Sequence, residues 1–152
     1  MRLMELFDTE YPMDRDVSWQ HYKDLDTAQF TLRGKSIEIE IHKISTRHVS
    51  AKWVLEPTHA DVPDDAVGYD IIFKVDGEVE VTRGGEEFAV FSGVLRVLNK
   101  YFSEHEWDYL QFSGEDASRN RLYQALAQRM TKTQPSVERI AQRGKDFVIA
   151  RF

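Results

Sequence analysis

Period-2 alternation of apolar and polar residues organises the first half of the chain. Ile37, Ile39 and Ile41 alternate with Glu38, Glu40 and His42, the signature of a strand with one face buried. Arg33-Gly34-Lys35 stands just before this run and predicts a tight turn, so residues 27–33 and 36–44 should form a hairpin. Val49, Ala51, Trp53 and Leu55 alternate with polar partners and predict a third strand, stopped by Pro57. After an acidic loop, residues 69–75 and 78–82 flank Asp76-Gly77. Asp-Gly between two alternating runs is a strong hairpin signal.

Beyond Gly84-Gly85 the period changes. Phe88, Phe91, Leu95, Leu98 and Phe102 recur three or four residues apart, with Val90, Val94, Val97 and Tyr101 widening the stripe. That pattern predicts a helix over 86–104, buried on a wide face, with Glu86 and Glu87 opposing the positive end of its dipole. Residues 107–113 read as a short strand, 116–132 as a second helix, 133–145 as a loop or short helical turn, and 146–152 as a closing strand. Residues 1–26 are polar and acidic and carry Phe7, Tyr11, Trp19 and Tyr22, which predicts an irregular N-terminal arm tied down by its aromatics. The order ββ-β-ββ-α-β-α-β predicts a single α+β domain over 1–152, a mostly antiparallel central sheet with two main helices packed on it.

Composition adds limits. At 152 residues the chain has room for one ordinary core, and 41% hydrophobic with 30% charged residues is a globular balance. No run approaches the roughly 20 apolar residues of a membrane helix, and the acidic start lacks the apolar stretch of a signal peptide. Without cysteine there are no disulfides, thiolate nucleophiles or thiolate metal sites. The net charge of −6 hides a split: residues 1–116 carry 24 acidic and 12 basic side chains, residues 117–152 carry 2 and 8. Either the two segments pair across a solvated surface, or the basic one faces an anion or an acidic partner.

The candidate chemistry gathers at the second helix, in Ser118, Arg119, Arg121 and Tyr123. As scaffold, Asp116 or Ser113 caps the helix, and Leu122, Leu126 and Met130 form its buried stripe. The Tyr123 ring then joins the core with its hydroxyl reaching outward. As a ligand site, Ser118 and Arg119 in the first turns offer a hydroxyl and a guanidinium to an anion. Glu115 and Asp116 already place negative charge there, and Arg119 and Arg121 point to different sides. The five histidines are scattered without ligand spacing, so no metal is expected.

The Phe88-x-x-Phe91…Leu95 helix, the strand ending Phe112-Ser113-Gly114, and Ser118-Arg119-x-Arg121-Leu122-Tyr123-x-x-Leu126 together resemble an uncharacterised family of small tailed-bacteriophage proteins over residues 69–130. The resemblance implies a phage origin and supplies no chemistry. The same half is more distantly similar to acyl-CoA-dependent N-acyltransferases, in which a strand, a glycine-containing loop, a helix, a strand and a tyrosine-bearing helix follow one another. Residues 79–82, the loop Arg83-Gly84-Gly85, the 86–104 helix, residues 107–112 and Tyr123 take those places. That similarity implies an acyltransferase-like topology in the C-terminal half, coenzyme A held at Arg83, Gly84 and Gly85 with Ser118 and Arg119 nearby, and Tyr123 as general acid. Glu86 and Glu87 oppose a pyrophosphate at that loop, and its glycine spacing departs from the family's pattern.

The leading expectation is a non-enzymatic binding protein without a cofactor, in the host cytoplasm or the virion, engaging a virion or host protein. It should be a monomer or small oligomer, with no membrane contact and no direct nucleic-acid binding. An acyltransferase-like enzyme or a relic that binds coenzyme A is the alternative. A third reading is an acidic DNA mimic that uses the acids of 1–26 and 56–87 against a host defence protein.

Overall fold

The isoleucine alternation builds the centre of a seven-stranded sheet. The computed structural model of the chain describes residues 17–32, 34–75, 86–113, 117–133 and 136–152. Strands β1 (Ser18–Tyr22), β2 (Leu25–Leu32) and β3 (Lys35–Lys43) form a meander, followed by a short helix α1 (Val49–Leu55) that runs into a 3-10 turn (Glu56–Thr58). Then come β4 (Gly68–Val75), α2 (Glu86–Glu104), β5 (Tyr109–Ser113), α3 (Ala117–Thr133), β6 (Arg139–Arg143) and β7 (Asp146–Ala150). The strands lie in the order β1-β2-β3-β4-β5-β7-β6. Every pairing is antiparallel except β4 with β5, and that parallel pair requires the crossover that α2 supplies. The chain is therefore α+β, with the helices on a mostly antiparallel sheet.

Register fixes the two faces. Ala28 and Phe30 of β2 oppose Ile39 and Ile37 of β3, and Ile39 and Ile41 oppose Phe73 and Ile71 of β4. Ile71 aligns with Phe112, and Phe112 with Phe147. These residues share one face and pack under Leu95, Leu98 and Phe102 of α2 and Leu126, Ala127 and Met130 of α3. Most of them are under 3% exposed, so each large apolar side chain contributes about 1.5–3 kcal/mol of burial. The opposite face has a smaller apolar cluster, in which Ala51, Val54 and Leu55 of α1 meet Tyr109, Ala141, Val148 and Ala150. Its β2–β4 part carries Thr27, Glu40, His42, Asp70 and Lys74, aligned by the same register.

Three local expectations give way to tertiary context. Residues 49–55 are helical, because the inward residues are Ala51, Val54 and Leu55, spaced i, i+3, i+4, while Val49 and Trp53 are 69% and 44% exposed. Residues 18–22 of the supposed arm are an edge strand. Trp19 ties it down by stacking 5.5 Å from Tyr101. Residues 139–143, expected as a loop, pair with β7 across a turn with Gly144 at φ 63°. The first hairpin turns on Gly34 at φ 78°, so a glycine in left-handed backbone stands at both hairpin turns. The Asp76-Gly77 turn and the strand expected over 78–82 lie outside the described residues.

Candidate functional site

Of the residues proposed from sequence, Tyr123 is the one whose side chain the structure places. Arg83, Gly84 and Gly85 lie outside the described residues, and Ser118, Arg119 and Arg121 belong to the opening turns of α3, where side chains are not described. Tyr123 is 1% exposed. Its ring packs edge-on to Phe73 of β4 at 5.6 Å, tilted against Phe112 of β5 at 5.3 Å and edge-on to Phe147 of β7 at 6.2 Å. The hydroxyl is therefore enclosed with the ring and does not reach outward as expected. Ser113 donates to the Asp146 carboxylate at 2.7 Å, joining β5 to β7.

Tyr123 occupies a defined point of the topology. β4 and β5 pair from Gly68–Tyr109 to Ile71–Phe112, and β4 then continues to Val75. Both α2 and α3 begin beyond the carboxyl ends of this parallel pair, the place where open sheets bind ligands. The Tyr123 ring bridges Phe73 and Phe112 where the strands part company.

Under α1 lies a polar cluster that no sequence spacing announces. Arg47 and His48 both adopt left-handed backbone, at φ 46° and 60°, a cost of about 1–3 kcal/mol each that surrounding contacts must offset. His48 is 6% exposed. Its Nε2 faces the Asp64 carbonyl at 3.4 Å and its Nδ1 lies 2.7 Å from the Tyr109 hydroxyl. A carbonyl only accepts, so the neutral ring carries its proton on Nε2 and Nδ1 accepts from Tyr109. The Tyr109 ring covers Gly68, its register partner. Burial pushes the Tyr109 phenol up, and the charge of Asp70 adds to it, so the hydroxyl stays a donor.

Asp70 sits between His42 of β3 and Gln111 of β5 along one register line. Burial raises its carboxyl above the usual range; His42 pulls it down and Asp146 pushes it up. Gln111 is 7% exposed and donates to the Ser50 hydroxyl at 2.8 Å. Asp70 Oδ1 and Gln111 Oε1 are both buried acceptors without a donor among the described residues. A proton on Asp70, or a Gln111 amide turned over to accept from Ser50, supplies that donor. The cluster thus favours a carboxyl that holds its proton at higher pH than a solvated one.

The outer side of α1 is different in kind. Val49 and Trp53, one helical turn apart, are both exposed. The Arg143 guanidinium from β6 lies 4.4 Å over the Trp53 ring and donates to the Trp53 carbonyl at 2.9 Å and the Glu56 carboxylate at 3.0 Å. Gly144 brings the β6–β7 turn against the same indole. Among the described residues no group of three histidine, aspartate or glutamate side chains is placed to hold a metal ion, and no helix is long and apolar enough to cross a membrane. Compared with protein-family models, curated proteins and solved structures, the chain matches none.

Sequence reasoning therefore missed His48, Tyr109, Asp70 and Gln111. His48 and Tyr109 stand 61 residues apart, so only the sheet order unites them. The one local signal was Gly68 at a strand start, since glycine in a strand often marks close approach of another group.

Proposed function

We propose that the chain is a phage-encoded, non-enzymatic binding protein that docks a virion or host protein on the outer side of α1. The observation that carries this reading is the Trp53 patch. Its indole is 44% exposed beside the exposed Val49, yet Arg143 stacks on it and fixes it to Glu56. Tryptophan and arginine are the residues most enriched where binding energy concentrates. A side chain already held in place loses little entropy on docking. The buried inner side, Ala51, Val54 and Leu55, anchors the helix so the outer side can face a partner.

The test is affinity capture of a tagged chain during infection, for the wild type, Trp53→Ala and Arg143→Ala. Trp53→Ala should retain the fold by circular dichroism and lose the captured partner. Equal capture by wild type and both variants would overturn the role of this surface.

A second reading has its own supporting observation. The run α2, β5, α3 follows the helix, strand, helix order of the acyl-CoA-dependent N-acyltransferases, and the strand and loop that precede it in those enzymes, expected here at 79–82 and 83–85, lie outside the described residues. Its two helices start at the carboxyl ends of the parallel pair. Coenzyme A would then lie at Arg83, Gly84 and Gly85 with Ser118 and Arg119 beside it. The enclosure of Tyr123 by Phe73, Phe112 and Phe147 weighs toward a relic and against a working general acid. Calorimetric binding of coenzyme A that Gly84→Asp abolishes would favour this second reading. The acidic-mimic reading depends on residues 1–26 and 56–87, of which 1–16 and 76–85 lie outside the described residues.

A further inference from the structure

We propose that the cleft between the β1–β2 turn and the C-terminal end of α2 binds a primary alkylammonium group. The cleft has a volume of about 170 Å³ and is bounded by Tyr22, Asp24, Asp26, Tyr69, Tyr101 and His105, with Leu25 and Ile41 as apolar floor and Lys43 at the rim. At roughly 30 Å³ per water, that is room for an ammonium head and a few methylenes. It is independent of the Trp53 surface.

Charge and hydrogen-bonding capacity set the ligand class. Asp26 is held between two donors, His21 Nδ1 at 2.8 Å and the Tyr101 hydroxyl at 2.5 Å, so the carboxylate is fixed before any ligand arrives. Tyr101 is itself clamped, stacked on His105 at 3.9 Å and on Trp19 at 5.5 Å. His105 Nδ1 lies 2.8 Å from the Tyr101 carbonyl and must donate to it, which leaves Nε2 of the neutral ring as an acceptor. Tyr69 is 8% exposed and lines the cleft. Among the described residues its hydroxyl has no hydrogen-bond partner, whereas its ring is braced edge-on by Tyr101 and Phe102. Asp24 adds a second carboxylate from left-handed backbone at φ 60°. Two carboxylates, electron-rich rings and spare acceptors suit a cation that also carries N–H donors. A quaternary ammonium could use the rings but none of those acceptors. An apolar floor of Leu25 and Ile41 suits the methylene stem of an alkylamine. The chain's net charge of −6 draws cations toward it.

The alkylammonium can come from a lysine side chain of a polypeptide or from a free polyamine. Titrations followed by NMR would use capped lysine (Nα-acetyl-lysine methylamide), cadaverine, and capped norleucine as the uncharged control. Saturable shifts of the Leu25 and Ile41 methyls with either amine, and none with norleucine, are expected. Stronger binding of capped lysine assigns the site to a polypeptide, and stronger binding of cadaverine to a polyamine; each supports the proposal. Tyr69→Phe should weaken binding about tenfold, the loss of one hydrogen bond. Asp24→Asn, which keeps a residue at ease in left-handed backbone, should weaken it further, and Lys43→Gln should tighten it. Norleucine binding as well as lysine, or folded Asp24→Asn and Tyr69→Phe proteins binding as well as wild type, would overturn the proposal.

Discussion

Gly68→Ala gives the sharpest test of how the polar cluster is built. At an ordinary strand position this change stabilises by about 0.4–1 kcal/mol, because alanine restricts the unfolded chain. Here the sign should reverse. A methyl at Gly68 would fall 2.5 Å from the Tyr109 hydroxyl oxygen and closer still to its ring carbons. Carbon contacts settle near 3.5–4.0 Å and the nearest ring carbon would lie at 2.0 Å, so the ring must retreat by about 1.5–2 Å. It has nowhere to go: Tyr109 is 0% exposed and its hydroxyl is bonded to the buried His48. Overpacking of this kind costs about 1–3 kcal/mol, and losing the His48 bond while both groups stay buried adds about 1–3 kcal/mol. The expected loss is about 2–6 kcal/mol, a large share of a usual stability of about 5–15 kcal/mol. Urea denaturation of wild type, Gly68→Ala, Tyr109→Ala and the double variant measures it. Removing the ring removes the collision, so in the Tyr109→Ala background Gly68→Ala should cost under about 1 kcal/mol. An unchanged stability for Gly68→Ala, or the same cost in both backgrounds, would refute the reasoning.

Four further outcomes are expected. Leu95→Ala, at a position 1% exposed on the sheet-facing side of α2, should cost about 2–5 kcal/mol in the same assay. Ile39→Asp should abolish folding by circular dichroism, because Ile39 is 0% exposed between Ala28 and Phe73 and an unpaired charge there is prohibitive. Glu40→Lys on the other face, losing an ion pair with Lys74 at 3.3 Å, should cost under about 1 kcal/mol. For Asp70 the folded carboxyl titrates above its unfolded value, so the folded state binds the extra proton and stability falls as pH rises through that interval. Asp70→Asn should therefore stabilise at pH 7, with the gain vanishing at pH below the usual carboxylate range, as checked by denaturation across pH.

How much of this was legible depended on whether a signal was local. The Ile37–Ile41 alternation identified β3 and its hairpin because both the period and the glycine turn lie within ten residues. The stripe through Leu95 and Leu98 identified α2 for the same reason. The helix of 49–55 was misread because seven residues satisfy either period. The decision fell to Val148, Ala150 and Ala141, which bury Ala51, Val54 and Leu55 together. The β6 strand was missed because only Ala141 of its five residues is buried, although the second Arg-Gly-Lys marked its turn.

The sequence by itself determined the fold class, the central hairpin, the two main helices, the closing strand and the absence of thiol chemistry. Those follow from periodicity and composition, which act between residues a few positions apart. Tertiary structure decided the strand order, the single parallel pair and the sites. His48 meets Tyr109, Asp26 meets Tyr101 across 75 residues, and Arg143 meets Trp53 across 90. Such contacts exist only once strands distant in sequence become neighbours in the sheet. Their formation is driven by burial of the common core, and no spacing in the chain records it.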